Sequence, residues 1–174
     1  MVVLFLAYLT RLSGAGRHRG LGGPGRMTVM VASSVRRLPA RCARSAWRAS
    51  RRRVVIAGVV AATCSGAPST LHALATGDDL FQATRAAATL VPGRRGVVAG
   101  AAVHVLVSAG WTAALAAVDR RHRLGPLGGG AAGMLIAALD LEVVGRANPA
   151  IRSLPRLPQW LDHVAFGAIV GALL

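Results

Sequence analysis

The chain contains no lysine, six acidic residues and two cysteines, and only 4% of it is aromatic. Charged residues of all kinds reach 16%, against about 25% in ordinary soluble domains. That shortage argues against a solvated globular surface. Cys42 and Cys64 share no motif spacing, so a disulfide framework is not supported. No phosphate-binding loop, dinucleotide fingerprint, CxxC, HExxH or GxSxG sequence occurs. Nucleotide-dependent, thiol-redox, zinc-protease and serine-hydrolase chemistry therefore have no motif to stand on, and the chain is not expected to be an enzyme.

What is abundant is small and aliphatic. Hydrophobic residues make up 53% of the 174 residues, and 21 more are glycine. Ala, Gly, Val and Leu supply this mass, which suits closely packed membrane helices better than a large soluble core. All basic side chains except histidine are arginine, 21 of them, for a formal net charge of +15. Arginine without lysine, together with the Ala and Gly content, fits a high-GC bacterial genome.

The charge is unevenly placed. Residues 1–53 hold 12 arginines and no acid, and the remainder holds nine arginines and six acids. Residues 1–53 therefore read as a disordered, Arg-rich N-terminal leader, with GRHRGLGGPGR (16–26) as its least structured part. Met27 and Met30 offer alternative starts that would shorten it. Such a leader is expected to attract anionic lipid headgroups and to set topology. Nucleic-acid binding is disfavoured, because the leader has no interleaved aromatics beyond Trp47 and no recognisable binding fold.

Residues 54–174 carry the apolar segments. An α-helix needs about 20 apolar residues to cross the hydrocarbon core. The stretches 54–74, 96–118 and 124–145 meet that length, and Pro68 should kink or break the first. A fourth membrane segment, 161–174, is shorter, and Trp160 before it suits the headgroup boundary. Between the first two spans, DDLFQATRAAATLVP (78–92) places Leu80, Ala83, Ala87, Leu90 and Val91 on one face and Gln82, Arg85 and Thr89 on the other. This pattern predicts an amphipathic helix lying at the interface. The fold expected is thus all-α: an integral membrane bundle of four membrane segments plus one interfacial helix. The leader arginines predict a plasma-membrane protein with a cytoplasmic N-terminus.

One competing reading concerns SRRRVVI (50–56), whose paired arginines before an apolar run resemble a twin-arginine export signal. A cleaved signal should precede a hydrophilic domain, whereas further apolar spans follow here.

Ionisable residues inside a membrane are costly and raise a functional hypothesis. His104, Ser108 and Trp111 recur at helical spacing in the second span, Asp140 ends the third, and Asp162 and His163 open the fourth. They share stripes with small residues, which should turn them toward neighbouring helices. Segment order and antiparallel crossing place His72, His104, Asp140, Glu142, Asp162 and His163 in one leaflet. His104, Asp140, His163, Ser108 and Asp162 are the candidate intramembrane cluster. It would act as packing glue in a structural or accessory protein, or else carry protons or ions in a small transporter. A two-histidine, one-carboxylate metal site would draw His104, His163 and Asp140 from three helices. The spacing gives it no support, so no metal or cofactor is expected. The expected partners are the lipid bilayer, and a second copy or another membrane protein.

From about residue 54 onward, the chain resembles small uncharacterised multi-pass membrane proteins of high-GC bacteria. The resemblance rests on GAPSTLHAL, the ATR segment after it, HxxxSxGW (104–111) and DHVAFGAIVG (162–171). It implies an architecture and no chemistry.

Overall fold

The computed structural model describes residues 40–174, with side chains described from Ser50. The expectations for residues 1–39, including the Gly/Arg tract and the alternative starts, lie outside the described residues. Residues Arg51–Leu174 form one compact unit. All regular structure among the described residues is helical.

Helix α1 runs from Ala40 to Cys64. It takes in the last 14 residues of the expected leader, 40–53, so the leader is not irregular throughout. The reason is local: ARCARSAWRASRRR contains neither Gly nor Pro, and Ala and Arg are among the best helix formers. A turn at Ser65–Gly66 separates α1 from α2, Ala67–Thr76. Pro68 lies in the first turn of α2, where its missing N–H has no intrahelical acceptor to lose. The expected interruption is present, but it falls just ahead of the proline.

Helix α3 covers only Gln82–Ala88. Helix α4 spans Val97–Asp119. Helix α5, Gly125–Ala137, continues into a π-helical turn, Ala138–Val144, and a 3-10 turn, Gly145–Ala147. Helix α6 is the single turn Pro149–Arg152, with Asn148 accepting hydrogen bonds from the Ala150 and Ile151 amides at its start. Helix α7 runs from Arg156 to Leu173.

Three stretches are long and apolar enough to cross a membrane: Ser50–Thr76, Val97–Asp119 and Gly125–Ala147. Their outward residues are large and apolar, with Leu127 at 90% exposure, Val98 at 85% and Leu106 at 72%. Such a surface suits lipid better than water. Helix α7 is not among the three. It starts five residues earlier than expected, and Arg156, Gln159, Asp162 and His163 make its first half polar.

Helices α5 and α7 pack most closely. A Cβ on Gly133 would collide with the His163 carbonyl, and one on Gly167 would collide with the Gly129 carbonyl. The small-residue stripes therefore bring two backbones into direct contact, which no larger residue would allow. One apolar core joins Ala61, Leu115, Ile136, Phe166 and Val170. A second joins Ala86, Ala137, Leu141, Ile151 and Leu154.

The α3 segment is shorter than the helix expected over 78–92. It has seven residues, and Ala86 and Ala88 are buried. The Thr84 carbonyl sits where a Cβ on Gly100 would stand, so α3 is pressed onto α4. Leu80, Phe81, Leu90 and Val91 are the exposed apolar groups around it. Of the residues expected on one apolar face, Leu80, Leu90 and Val91 are exposed and Ala83 and Ala87 half-buried, whereas the buried Ala86 and Ala88 lie outside that expected face.

Candidate polar cluster within the bundle

Asp140 lies in the π-helical turn that ends the third long apolar stretch. Such turns carry one extra residue per hydrogen-bonded ring and often occur at functional sites. The Trp111 indole Nε1 donates to Asp140 Oδ2 at 3.0 Å. His163 Nε2 lies 3.5 Å from the same oxygen. Its Nδ1 is 2.7 Å from the Gln159 carbonyl oxygen, one turn back on α7. A carbonyl only accepts, so Nδ1 carries the proton of that bond. Nε2 then attracts Asp140 only when the ring is an imidazolium.

Asp162, the neighbour of His163, takes a different role. Its Oδ1 accepts from the Ser69 backbone amide at 3.0 Å. Ser69 lies in the first turn of α2, whose leading amides have no intrahelical acceptor. No side chain at the α2 start caps it, so the carboxylate of α7 supplies the cap from across the bundle. Asp162 thereby accounts for how the chain resumes a helix after the Ser65–Gly66 turn.

The sequence-predicted residues thus separate into groups. Asp140 and His163 meet. Asp162 stands beside them but bonds α2. His104 turns instead to the Ala62 carbonyl of α1 at 3.4 Å. Ser108 is buried, and its carbonyl accepts from Thr112 Oγ1 at 2.8 Å. Trp111 was legible as part of the polar stripe, yet it is this residue, and not His104, that reaches Asp140. The cause is side-chain direction. In a helix the Cα–Cβ bonds lean toward the N-terminus. In antiparallel α4 and α5, Trp111 and Asp140 lean toward each other, whereas His104, about 10 Å nearer the N-terminus of α4, leans away.

Ser69 and Gln159 were not legible in advance, since both contribute backbone groups. Glu142 pairs with Arg156 at 3.3 Å, and the same guanidinium donates to the Leu141 carbonyl at 3.1 Å. No buried side-chain nitrogen or oxygen among the described residues lacks a hydrogen-bond partner. A cavity of about 30 Å³ between Ser69, His72, Gln82 and Gln159 has room for about one water molecule.

These contacts tie α4 to the π turn, the π turn to α7, α7 to α2, and α4 to α1. They can hold helices in register, and one of them depends on a proton. Compared with known proteins, the chain matches no family model, no curated protein and no solved structure.

Proposed function

We propose that the chain is a multi-pass integral membrane protein of the plasma membrane, with a structural or accessory role. Its intramembrane polar groups then serve as helix–helix locks. The observation that carries this reading is the pairing itself: Asp140 bonds Trp111, and Asp162 bonds the α2 start. Each polar group spent on a neighbour is withdrawn from solvating a transported ion. The resemblance to small multi-pass proteins of high-GC bacteria supports the same architecture. We place α7 as a fourth membrane segment and the N-terminus in the cytoplasm. In the compact unit, arginines 51, 52, 53, 120, 121 and 123 flank one end of the spans, and 85, 94, 95, 146, 152 and 156 the other. These balance, so the orientation rests on the leader arginines.

Carbonate washing of membranes tests the reading. An integral protein stays in the pellet. Release into the wash, with a shortened chain, would favour an exported protein using SRRRVVI as a signal.

One observation favours a second reading, a small proton-linked transporter. The His163–Asp140 contact is attractive only with the second ring proton in place, and it sits on a π-helical turn. Reconstitution into liposomes with an internal pH dye separates the two. A lock gives no proton flux, and Asp140→Asn then changes stability alone. A carrier gives flux that Asp140→Asn abolishes.

A further inference from the structure

At the end of the bundle that holds α3 and α6, a cleft of about 390 Å³ opens between Gln82, Arg85, Thr89, Arg95, Gly96 and Ser153. Its volume is in the range of small-ligand sites, about 300–1,000 Å³. We propose that this cleft binds a phosphate group, with Arg95 as the principal contact and an anionic phospholipid headgroup as its source.

The charge at this end is unbalanced. Six arginines, at 85, 94, 95, 146, 152 and 156, lie in this half of the bundle with five carboxylates, Asp78, Asp79, Asp140, Glu142 and Asp162, of which Asp140 and Asp162 are held by Trp111, His163 and the Ser69 amide. The carboxylates are already engaged. Asp79 pairs with Arg85, Glu142 with Arg156, and Asp78 accepts from Thr76. Among the described residues, no carboxylate pairs with Arg95. Arg95 lines the cleft. Arginine offers a planar fork of N–H groups that matches two oxygens of one phosphate. Gln82, also on the lining, adds neutral amide donors, and Arg85 adds a charge partly offset by Asp79.

The position of the cleft selects the source. Arg95 lies directly before Gly96 and Val97, where a 23-residue apolar helix begins. That helix is about 35 Å long, slightly more than the hydrocarbon core. Its first residues consequently lie at headgroup depth. Leu90, Val91 and Val98 beside the cleft are exposed and apolar, which suits the start of an acyl chain. This step rests on the membrane reading above. Carbonate washing tests that reading separately, so a failed site leaves it standing.

The test uses the full chain in neutral detergent, with binding followed by native mass spectrometry and calorimetry. The probes are phosphatidylglycerol, diacylglycerol with the same chains, and inorganic phosphate. Arg95→Gln should weaken phosphatidylglycerol binding about tenfold, the effect of losing one charge-assisted contact. Arg95→Lys should retain part of it. Arg121→Gln, at the other end of the bundle, should change nothing, and diacylglycerol should not bind at the site. If inorganic phosphate binds with the same dependence on Arg95, the phosphate site stands and its source is soluble. Equal binding by Arg95→Gln and the parent for both phosphate probes overturns the proposal. So does an equal loss in Arg121→Gln, which would mark diffuse attraction to net charge.

Discussion

The Trp111 indole donates to Asp140 Oδ2 at 3.0 Å, joining the middle of α4 to the π-helical turn after α5. Both residues are partly buried, and the same carboxylate faces His163. Coupling energies between polar side chains in membrane proteins average about 0.6 kcal/mol and reach about 1.7. A double-mutant cycle with Trp111→Phe and Asp140→Asn, read by unfolding in mixed micelles, should return a coupling in that range. Asp140→Ala should cost more than Trp111→Phe, because it also strips His163 of its partner. Strictly additive single effects would show that the bond holds nothing.

Much of this architecture was legible beforehand, for physical reasons that can be named. The stretches 96–118 and 124–145 are long and flanked by arginine, so their ends fell within a few residues of the helices found, whereas α1 begins well before residue 54. The interruption near Pro68 was legible because a ring nitrogen cannot donate. The meeting of Asp140 with His163 followed from segment order and small-residue stripes. His104 did not follow, because depth alone ignores the lean of side chains toward each helix's N-terminus. The cap from Asp162 to Ser69 was invisible, since a backbone amide leaves no mark on residue type. The length and packing of α3 also escaped, because alanine reads as apolar on a helical wheel whether it faces lipid or another backbone.

The α5–α7 contact should be the least tolerant part of the bundle. Gly133→Ala and Gly167→Ala each drive a methyl group into a facing carbonyl, His163 and Gly129 respectively. The backbones must then separate, at a cost of about 1–3 kcal/mol each. Gly130→Ala is the control, since its added carbon would stand 3.8 Å from the nearest Val164 atom, an ordinary contact. It should be neutral, or gain up to about 1 kcal/mol from helix propensity. Thermal unfolding of the three variants in one detergent decides the matter, and equal losses for Gly130→Ala and Gly133→Ala would refute the backbone contact.

Removal of the Asp162 carboxylate should loosen α2 without dispersing the bundle. Replacing a capping side chain by alanine typically costs about 0.5–2 kcal/mol, so Asp162→Ala is expected there. Asp162→Asn keeps an acceptor oxygen for the Ser69 amide and should lose clearly less. The local readout is hydrogen exchange over residues 67–76. Faster exchange in Asp162→Ala, with 156–173 unchanged, is the expected pattern. Protection of 67–76 equal to that of the parent protein would mean that the helix start has another acceptor.

Close packing of α3 on α4 can be tested apart from stability. The Thr84 carbonyl occupies the place where Gly100 lacks a side chain, and Ala86 behind it is 4% exposed. With Cys42 and Cys64 first replaced by serine, a cysteine introduced by Ala86→Cys should react slowly with a water-soluble thiol reagent. Adding Gly100→Ala should lift α3 from its seat and raise the rate about tenfold or more, since overpacking of about 1–3 kcal/mol favours the open position. Val98→Ala, at a residue 85% exposed on the same helix, should leave the rate alone. If α3 instead lay free along the membrane surface, its alanines would meet no backbone. Gly100→Ala would then change the labelling of Ala86→Cys no more than Val98→Ala does.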